Sequence, residues 1–172
     1  MNIAQLLLDE LDREVEASRT LLDRLPEGKW GWRPHEKSMT LGRLATHVAE
    51  IPSWSNSILM ADEIDFMSPE MQKWTPREMQ SKDEILAELE SAAETCRGHL
   101  EATGDDDFNR DWTMKGGDQV VMKEKKYMVF RRQILNHMVH HRAQLGVFLR
   151  LLDVPLPGSY GPSADEGGGM GE

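Results

Sequence analysis

The stretch LNHMVHHRAQLGVFLRLL, residues 135–152, decides the fold class of this chain. Large apolar residues recur in it at helical spacing, and the periodicity from about Glu124 to Leu152 predicts a helix of roughly eight turns. On a helical wheel with about 100° per residue, His141 lies near the centre of the apolar face and His137 lies on its flank. His140 falls roughly 110° from that centre and does not face inward. The pattern therefore predicts two inward-facing histidines at i, i+4 spacing.

Three further segments show the same amphipathic pattern. They cover residues 3–25, Thr40 to about Met60, and Ser81 to Thr103. Pro52 lies inside the second segment and predicts a kink or a new helical segment there, because proline cannot donate a backbone hydrogen bond. Four amphipathic helices in a short chain predict an all-α fold, a four-helix bundle with long connections.

The connections carry weaker signals. Residues 29–40 hold Trp30 and Trp32 without helical periodicity and predict a loop with aromatic anchors. Residues 61–80 predict a long connection with one short helical turn. Residues 112–122, which include the Gly116-Gly117 pair, predict a small hairpin-like connection.

The length of the chain and its glycine- and proline-rich segments predict the domain organisation. The chain has 172 residues and a mass of 19.6 kDa, which suits a single domain over residues 1–166. Residues 167–172 are rich in glycine and predict a flexible C-terminal tail. Pro155 to Glu166 combine Leu156 and Tyr160 with several turn residues, so we expect this stretch to pack back on the bundle.

Charge and composition exclude several classes of function. The net charge is −10 and the isoelectric point is about 5.1, so nucleic acid and anionic membrane surfaces would be repelled. The sequence holds no apolar run long enough to span a bilayer and opens without a secretory signal, so we expect a cytoplasmic protein. Cys96 is the single cysteine, which excludes an intrachain disulfide. It is interpreted as a small buried hydrophobe.

The second predicted helix supplies a third inward histidine. On its wheel His47 shares a face with Ile51 and Trp54, so histidines from two helices point into one core. Three neutral imidazoles leave a coordination position free for water or substrate, which is typical of catalytic rather than structural zinc sites. An HxxxH pattern also occurs by chance on apolar faces, so a purely structural role stays open. His35 and His99 are interpreted as loop and helix-edge residues.

These segments together resemble a known family. The matching stretches are Trp32-Arg33-Pro34, LGRLATHVAEIPSW at 41–54, and LNHMVHHRAQLGVFLRLLDVPLPGSYGPSADE at 135–166. The chain resembles the DinB/YfiT-like superfamily of bacterial metalloenzymes, which is unrelated to the DNA polymerase of similar name. The resemblance implies a four-helix bundle, a homodimer and a divalent transition metal (Zn, Ni or Fe) held by His47, His137 and His141. His140 and Arg142 belong to the same motif and are not implied ligands.

The resemblance also implies a class of activity. Similar proteins include S-transferases and a maleylpyruvate isomerase that use a low-molecular-weight thiol. We therefore expect a metal-dependent thiol S-transferase that acts on electrophilic small molecules. The sequence leaves two alternatives open, a non-catalytic metal-binding stress or interaction protein and a metal-dependent hydrolase. It assigns no catalytic residue, although Glu50, about one turn after His47, is a candidate acid or base.

Overall fold

Long helices make up most of the computed structural model, which describes residues 2–167. The α-helices are α1 (Ile3–Leu22), α2 (Leu41–Glu50), α3 (Ser55–Leu59), α4 (Lys82–Ala102), α5 (Asp105–Phe108), α6 (Lys126–Phe130) and α7 (Asn136–Leu151). A 3-10 turn, Ile51–Trp54, joins α2 to α3, and a π-helical turn, Arg131–Leu135, joins α6 to α7. The strands are β1 (Glu63–Asp65), β2 (Asp111–Gly116) and β3 (Gln119–Lys125).

The long helices enclose one apolar core. Around the bundle, α1 contacts α4, α4 contacts α2, α2 contacts α7, and α7 contacts α1. Each helix presents its periodic apolar face inward, and Leu11, Leu44, Leu89 and Leu145 are almost completely buried. This arrangement sets α2 and α7, the two predicted histidine-bearing helices, side by side.

A small sheet corrects the prediction of an all-α fold. The strand order is β1-β2-β3, with β1 parallel to β2 and β2 antiparallel to β3. The predicted hairpin is confirmed, and Gly117 turns it with a φ of +60° that favours glycine. The sequence did not indicate β1, because three residues are too few to show the alternation of a half-buried strand.

Helix ends differ from the predictions by a few residues. Helix α1 ends at Leu22 rather than at residue 25, although Leu25 stays buried and its backbone N–H donates to Leu22. The last long helical segment begins at Lys126 rather than at Glu124, because β3 continues through Lys125.

Pro52 has the predicted effect. It lies in the first turn of the 3-10 segment that ends α2, and its missing N–H needs no partner at that position. The tighter turn is followed directly by α3. The interruption brings the Trp54 ring to 5.1 Å from the ring of His137, measured between centroids.

The stretch Pro155 to Glu166 packs back on the bundle, as predicted. The Tyr160 hydroxyl donates to the Glu14 carboxylate at 2.8 Å and accepts from Arg142 at 2.5 Å. Leu156 packs against the apolar core. These contacts fix the stretch to α1 and α7. The predicted flexible tail lies, apart from Gly167, outside the described residues.

Between residues 2 and 167, no helix is both long and apolar enough to cross a membrane.

Candidate metal centre

Three imidazole rings meet between α2 and α7. His47 comes from α2, and His137 and His141 come from α7. The Nε2 atom of His137 lies 3.1 Å from Nε2 of His47 and 3.0 Å from Nε2 of His141. Within residues 2–167, these three side chains form a group whose ligand atoms all lie within 4.8 Å of one another. The helical wheels thus selected residues that the structure brings together.

The fourth histidine of this region stays outside the cluster, as the wheel predicted. His140 is exposed, whereas His141 next to it is buried. The His140 ring packs against the His141 ring with centroids 4.7 Å apart. His140 therefore borders the centre without joining it.

The π-helical turn directly before α7 was not predicted. A π-helical turn holds more residues than an α-helical turn, so it rotates α7 relative to α6. The turn ends at Leu135, so α7 is regular from Asn136 onward. A wheel anchored on His137 is therefore valid for α7. Helix α6, the π-helical turn and α7 all bury apolar residues. The spacing of apolar residues in the sequence therefore did not indicate the π-helical turn.

Hydrogen bonds on the outer ring nitrogens fix two of the tautomers. His47 Nδ1 lies 3.0 Å from Glu50 Oε1, and His141 Nδ1 lies 2.7 Å from Gln144 Oε1. An ionised carboxylate and an amide oxygen only accept hydrogen bonds, so both Nδ1 atoms carry the proton. The Nε2 atoms of His47 and His141 therefore present lone pairs toward His137.

The converging lone pairs fit a metal cation. His137 Nε2 carries one proton at most, so it can donate a hydrogen bond to His47 or to His141 but not to both. In at least one of these two contacts, of 3.1 Å and 3.0 Å, two nitrogen lone pairs therefore face each other with no proton between them. A cation between the three nitrogens satisfies all of them. Imidazole nitrogen suits Zn, Ni and Fe, and outer partners that orient the rings are a regular feature of histidine metal sites. The residues present are therefore suited to hold a divalent transition metal.

A buried ion pair lies behind His47. Arg43 Nη2 donates to Glu50 Oε1 at 2.7 Å, and both side chains are largely buried. Burial acts to raise the pKa of Glu50, but hydrogen bonds from His47 and Arg43 and the charge of Arg43 hold that pKa below its usual value. Glu50, the sequence candidate for an acid or base, is thus an ionised partner that orients His47.

Arg43 was missed by the sequence reasoning. Its spacing to His47 and Glu50, four and seven residues along one helix, could have indicated that the three side chains share a face. Its Nη1 atom is buried and has no hydrogen-bond acceptor among residues 2–167.

The two histidines of α7 stay neutral well below pH 7. Burial, followed by the charges of His141, His47 and His140, lowers the pKa of His137 to about 4. Burial also lowers the pKa of His141 to about 4, although the hydrogen bond that His141 donates to Gln144 acts to raise it. Neutral imidazole is the form that binds metal, so the site is prepared for a cation.

The centre lies close to the surface. His137 is half-buried, whereas His47 and His141 are buried. The half-buried Trp54 packs on His47 and His137 with ring centroids 5.4 Å and 5.1 Å away. One side of the centre is therefore an aromatic wall, and the His137 side approaches solvent.

The other candidate residues lie elsewhere. His35 accepts from the Lys37 backbone N–H in the loop before α2, and His99 on α4 lies 2.9 Å from Ser55. Cys96 is buried, as expected, and burial raises its pKa to about 12. Its thiol stays protonated and is unsuited to act as a nucleophile.

Comparison with known proteins agrees with these features. A model of the DinB family matches residues 1–168. No curated protein searched is similar to this chain in sequence.

Two solved structures share the fold. The DinB-like protein YjoA of Bacillus subtilis is 16% identical, with a TM-score of 0.65 over 88% of this chain and 96% of that protein. A DinB-like protein of Bacillus cereus is 20% identical, with a TM-score of 0.65 over 89% of this chain and 95% of that protein.

Proposed function

Because the chain belongs to the DinB family, we propose that it is a metal-dependent enzyme that transfers a low-molecular-weight thiol to an electrophilic small molecule. The observation that supports the proposal is the convergence of three histidines, in which Nε2 of the half-buried His137 lies 3.1 Å from Nε2 of His47 and 3.0 Å from Nε2 of His141. Three protein ligands would leave a coordination position for an exogenous ligand, and the half-buried His137 lies on the side of the cluster nearer to solvent.

Each residue of the centre has a role in this proposal. His47, His137 and His141 would hold a divalent transition metal, which would supply the positive charge that lowers the pKa of a thiol bound beside it. Glu50 and Gln144 accept from the outer nitrogens of His47 and His141 and keep both lone pairs aimed inward. Trp54 covers His47 and His137 and limits the access of water from its side.

The reaction is a substitution at the electrophilic carbon. The thiol loses its proton to solvent, its sulfur forms a bond to that carbon, and the leaving group departs with the displaced electron pair. The nucleophile comes from the cosubstrate, which agrees with a buried Cys96 whose pKa is raised.

The partial exposure of His137 supports catalysis over the alternative of a non-catalytic metal-binding stress or interaction protein. A structural site is closed by four protein ligands, whereas residues 2–167 bring three to this centre.

We also expect a cytoplasmic homodimer. Light scattering tests the dimer, and a mass near that of one 19.6 kDa chain at micromolar concentration would contradict it.

The function is tested by metal analysis followed by a screen of electrophiles with several bacterial thiols. We expect about one metal per chain and thiol-dependent turnover that depends on His137. The His140→Ala variant is the matched control, since His140 is an adjacent histidine outside the cluster. Metal-loaded protein without turnover for any thiol would contradict the transferase activity.

A further inference from the structure

Arg43 lies beside the histidine centre with only part of its guanidinium engaged. Its Nη2 atom donates to Glu50 and lies 3.2 Å from His47 Nδ1. Its Nη1 atom is buried and has no acceptor in the part of the chain that the structure describes, residues 2–167. One end of a permanently charged side chain is thus left without a partner next to the proposed metal ligands.

Bulk water does not supply the missing acceptor. The Arg43 side chain is 14% exposed, and Nη1 itself lies inside the protein. Buried N–H groups of charged side chains are paired in almost all proteins, and an unpaired one indicates a bound water, ion or ligand. Arg43 Nη1 is therefore a donor that a molecule bound at the site would satisfy.

The charge balance favours an anion. Glu50 neutralises Arg43, and histidine binds a metal as the neutral imidazole. A divalent cation held by the histidines gives the region a net charge of about +2, which attracts negative ligands. Guanidinium nitrogens prefer carboxylate oxygens as acceptors, with charge-assisted hydrogen bonds.

We propose that Arg43 Nη1 donates to a carboxylate of the thiol that binds at the histidine centre, so that Arg43 selects carboxylate-bearing thiols. This inference rests on the proposed function. The thiol sulfur lies on the open side of His47, His137 and His141, and the carboxylate lies against Arg43. Arg43 is then a specificity residue that contacts the substrate directly.

The test compares two small thiols on cobalt-loaded protein. Mercaptopropionate carries a carboxylate, and mercaptopropanol carries a hydroxyl group at the equivalent position. Cobalt gives a thiolate-to-metal absorption band, so both dissociation constants can be measured without turnover. We expect wild-type protein to bind mercaptopropionate about tenfold more tightly or better, as a charge-assisted hydrogen bond would provide.

Arg43→Lys is the decisive variant. Lysine keeps the positive charge and can still pair with Glu50, but its single nitrogen cannot also reach a ligand. We expect the preference for mercaptopropionate to fall by about tenfold while mercaptopropanol binds as before. The cobalt spectrum before thiol addition shows whether the variant keeps an intact centre. Arg97→Lys, which alters an arginine of α4 that pairs with Asp12 of α1 and contributes no side chain to the histidine cluster, should behave as wild type.

The outcomes separate this inference from the function on which it rests. An unchanged preference in Arg43→Lys would show that an enclosed water satisfies Nη1 and would overturn the role of Arg43 alone. Absence of the thiolate band with either thiol would overturn the thiol chemistry and this inference together.

Discussion

His141 and Arg142 are neighbours on α7, yet they belong to two different buried polar clusters. His141 joins His47 and His137 in a cluster whose Nε2 lone pairs face one another. Arg142 instead points toward α1, where its Nη1 atom lies 2.6 Å from the Glu14 carboxylate and the Tyr160 hydroxyl completes the network. We call these the histidine cluster and the arginine cluster.

The difference lies in how well each cluster satisfies its own polar atoms. In the arginine cluster a positive charge, a negative charge and a hydroxyl group match one another, so the cluster needs no ligand. In the histidine cluster at least one Nε2 lone pair faces another, and a cation between the three nitrogens would satisfy all of them. A buried cluster whose polar atoms lack hydrogen-bond partners therefore indicates a binding site, whereas a cluster whose polar atoms are all paired indicates a structural role.

The largest expected effect comes from breaking the arginine cluster. Arg142→Ala leaves the Glu14 carboxylate buried without its partner and should lower the free energy of unfolding by about 3–5 kcal/mol. Chemical denaturation measures the change. Arg131→Ala removes a comparable but exposed ion pair with Glu10 and should cost less than about 1 kcal/mol. Equal effects of the two substitutions would contradict a structural role for the arginine cluster.

Glu50→Gln should weaken the histidine cluster without unfolding the protein. The neutral amide is a poorer acceptor for His47 Nδ1 and leaves Arg43 less well paired. We expect metal affinity to fall about 10- to 100-fold, as is typical of a lost outer partner. Competition with a chelator measures this change. The matched substitution Glu90→Gln removes an exposed partner of Arg19 and should leave metal affinity as it was. A similar loss from both would argue against the orienting role of Glu50.

Tyr160→Phe should have a smaller effect on the arginine cluster. It removes one hydroxyl group from a largely exposed residue, while the pair of Arg142 and Glu14 remains. We expect a loss of about 1 kcal/mol in unfolding free energy and no change in metal content. Thermal denaturation together with metal analysis checks both statements. A loss of metal would show that the stretch from Pro155 to Glu166 supports the histidine cluster.

A separate expectation concerns the acid sensitivity of the metal-free protein. In the unfolded chain histidine takes up a proton near pH 6.5, whereas the pKa values of His137 and His141 in the folded state are about 4. The unfolded state therefore binds more protons between these values, so stability should fall as the pH drops from about 6.5 to about 4. Denaturation of chelator-treated protein across this range measures the slope. Replacing both histidines with alanine should reduce it, and an unaltered slope would contradict the assigned burial.

Most of the histidine cluster could be predicted because it depends on local periodicity. His137 and His141 lie on a regular stretch of α7, and His47 lies on α2 before the interruption at Pro52. Helical geometry alone then tells which side chains face inward. Arg43 and Glu50 obey the same rule and could have been found by extending it.

The arginine cluster and the sheet could not be predicted in the same way. Arg142 and Glu14 are separated by 128 residues, and no local pattern encodes which buried charge meets which. Strand β1 pairs with β2 across a separation of about 50 residues and shows no alternation of its own. Both features depend on tertiary packing, which periodicity does not report.

The claim that His47, His137 and His141 hold a metal is tested most directly by measuring the metal content of two single variants, one at His140 and one at the adjacent His141. The purified wild-type protein should hold about one divalent transition metal per chain, because three neutral imidazoles converge on one point. His141→Ala should abolish binding, and at a metal concentration about 1,000 times Kd it should also remove about 4 kcal/mol of ligand-dependent stability. His140→Ala should retain the metal. Equal loss of metal in both variants, or a wild-type melting temperature unaffected by chelator at pH 7.5, would contradict the account.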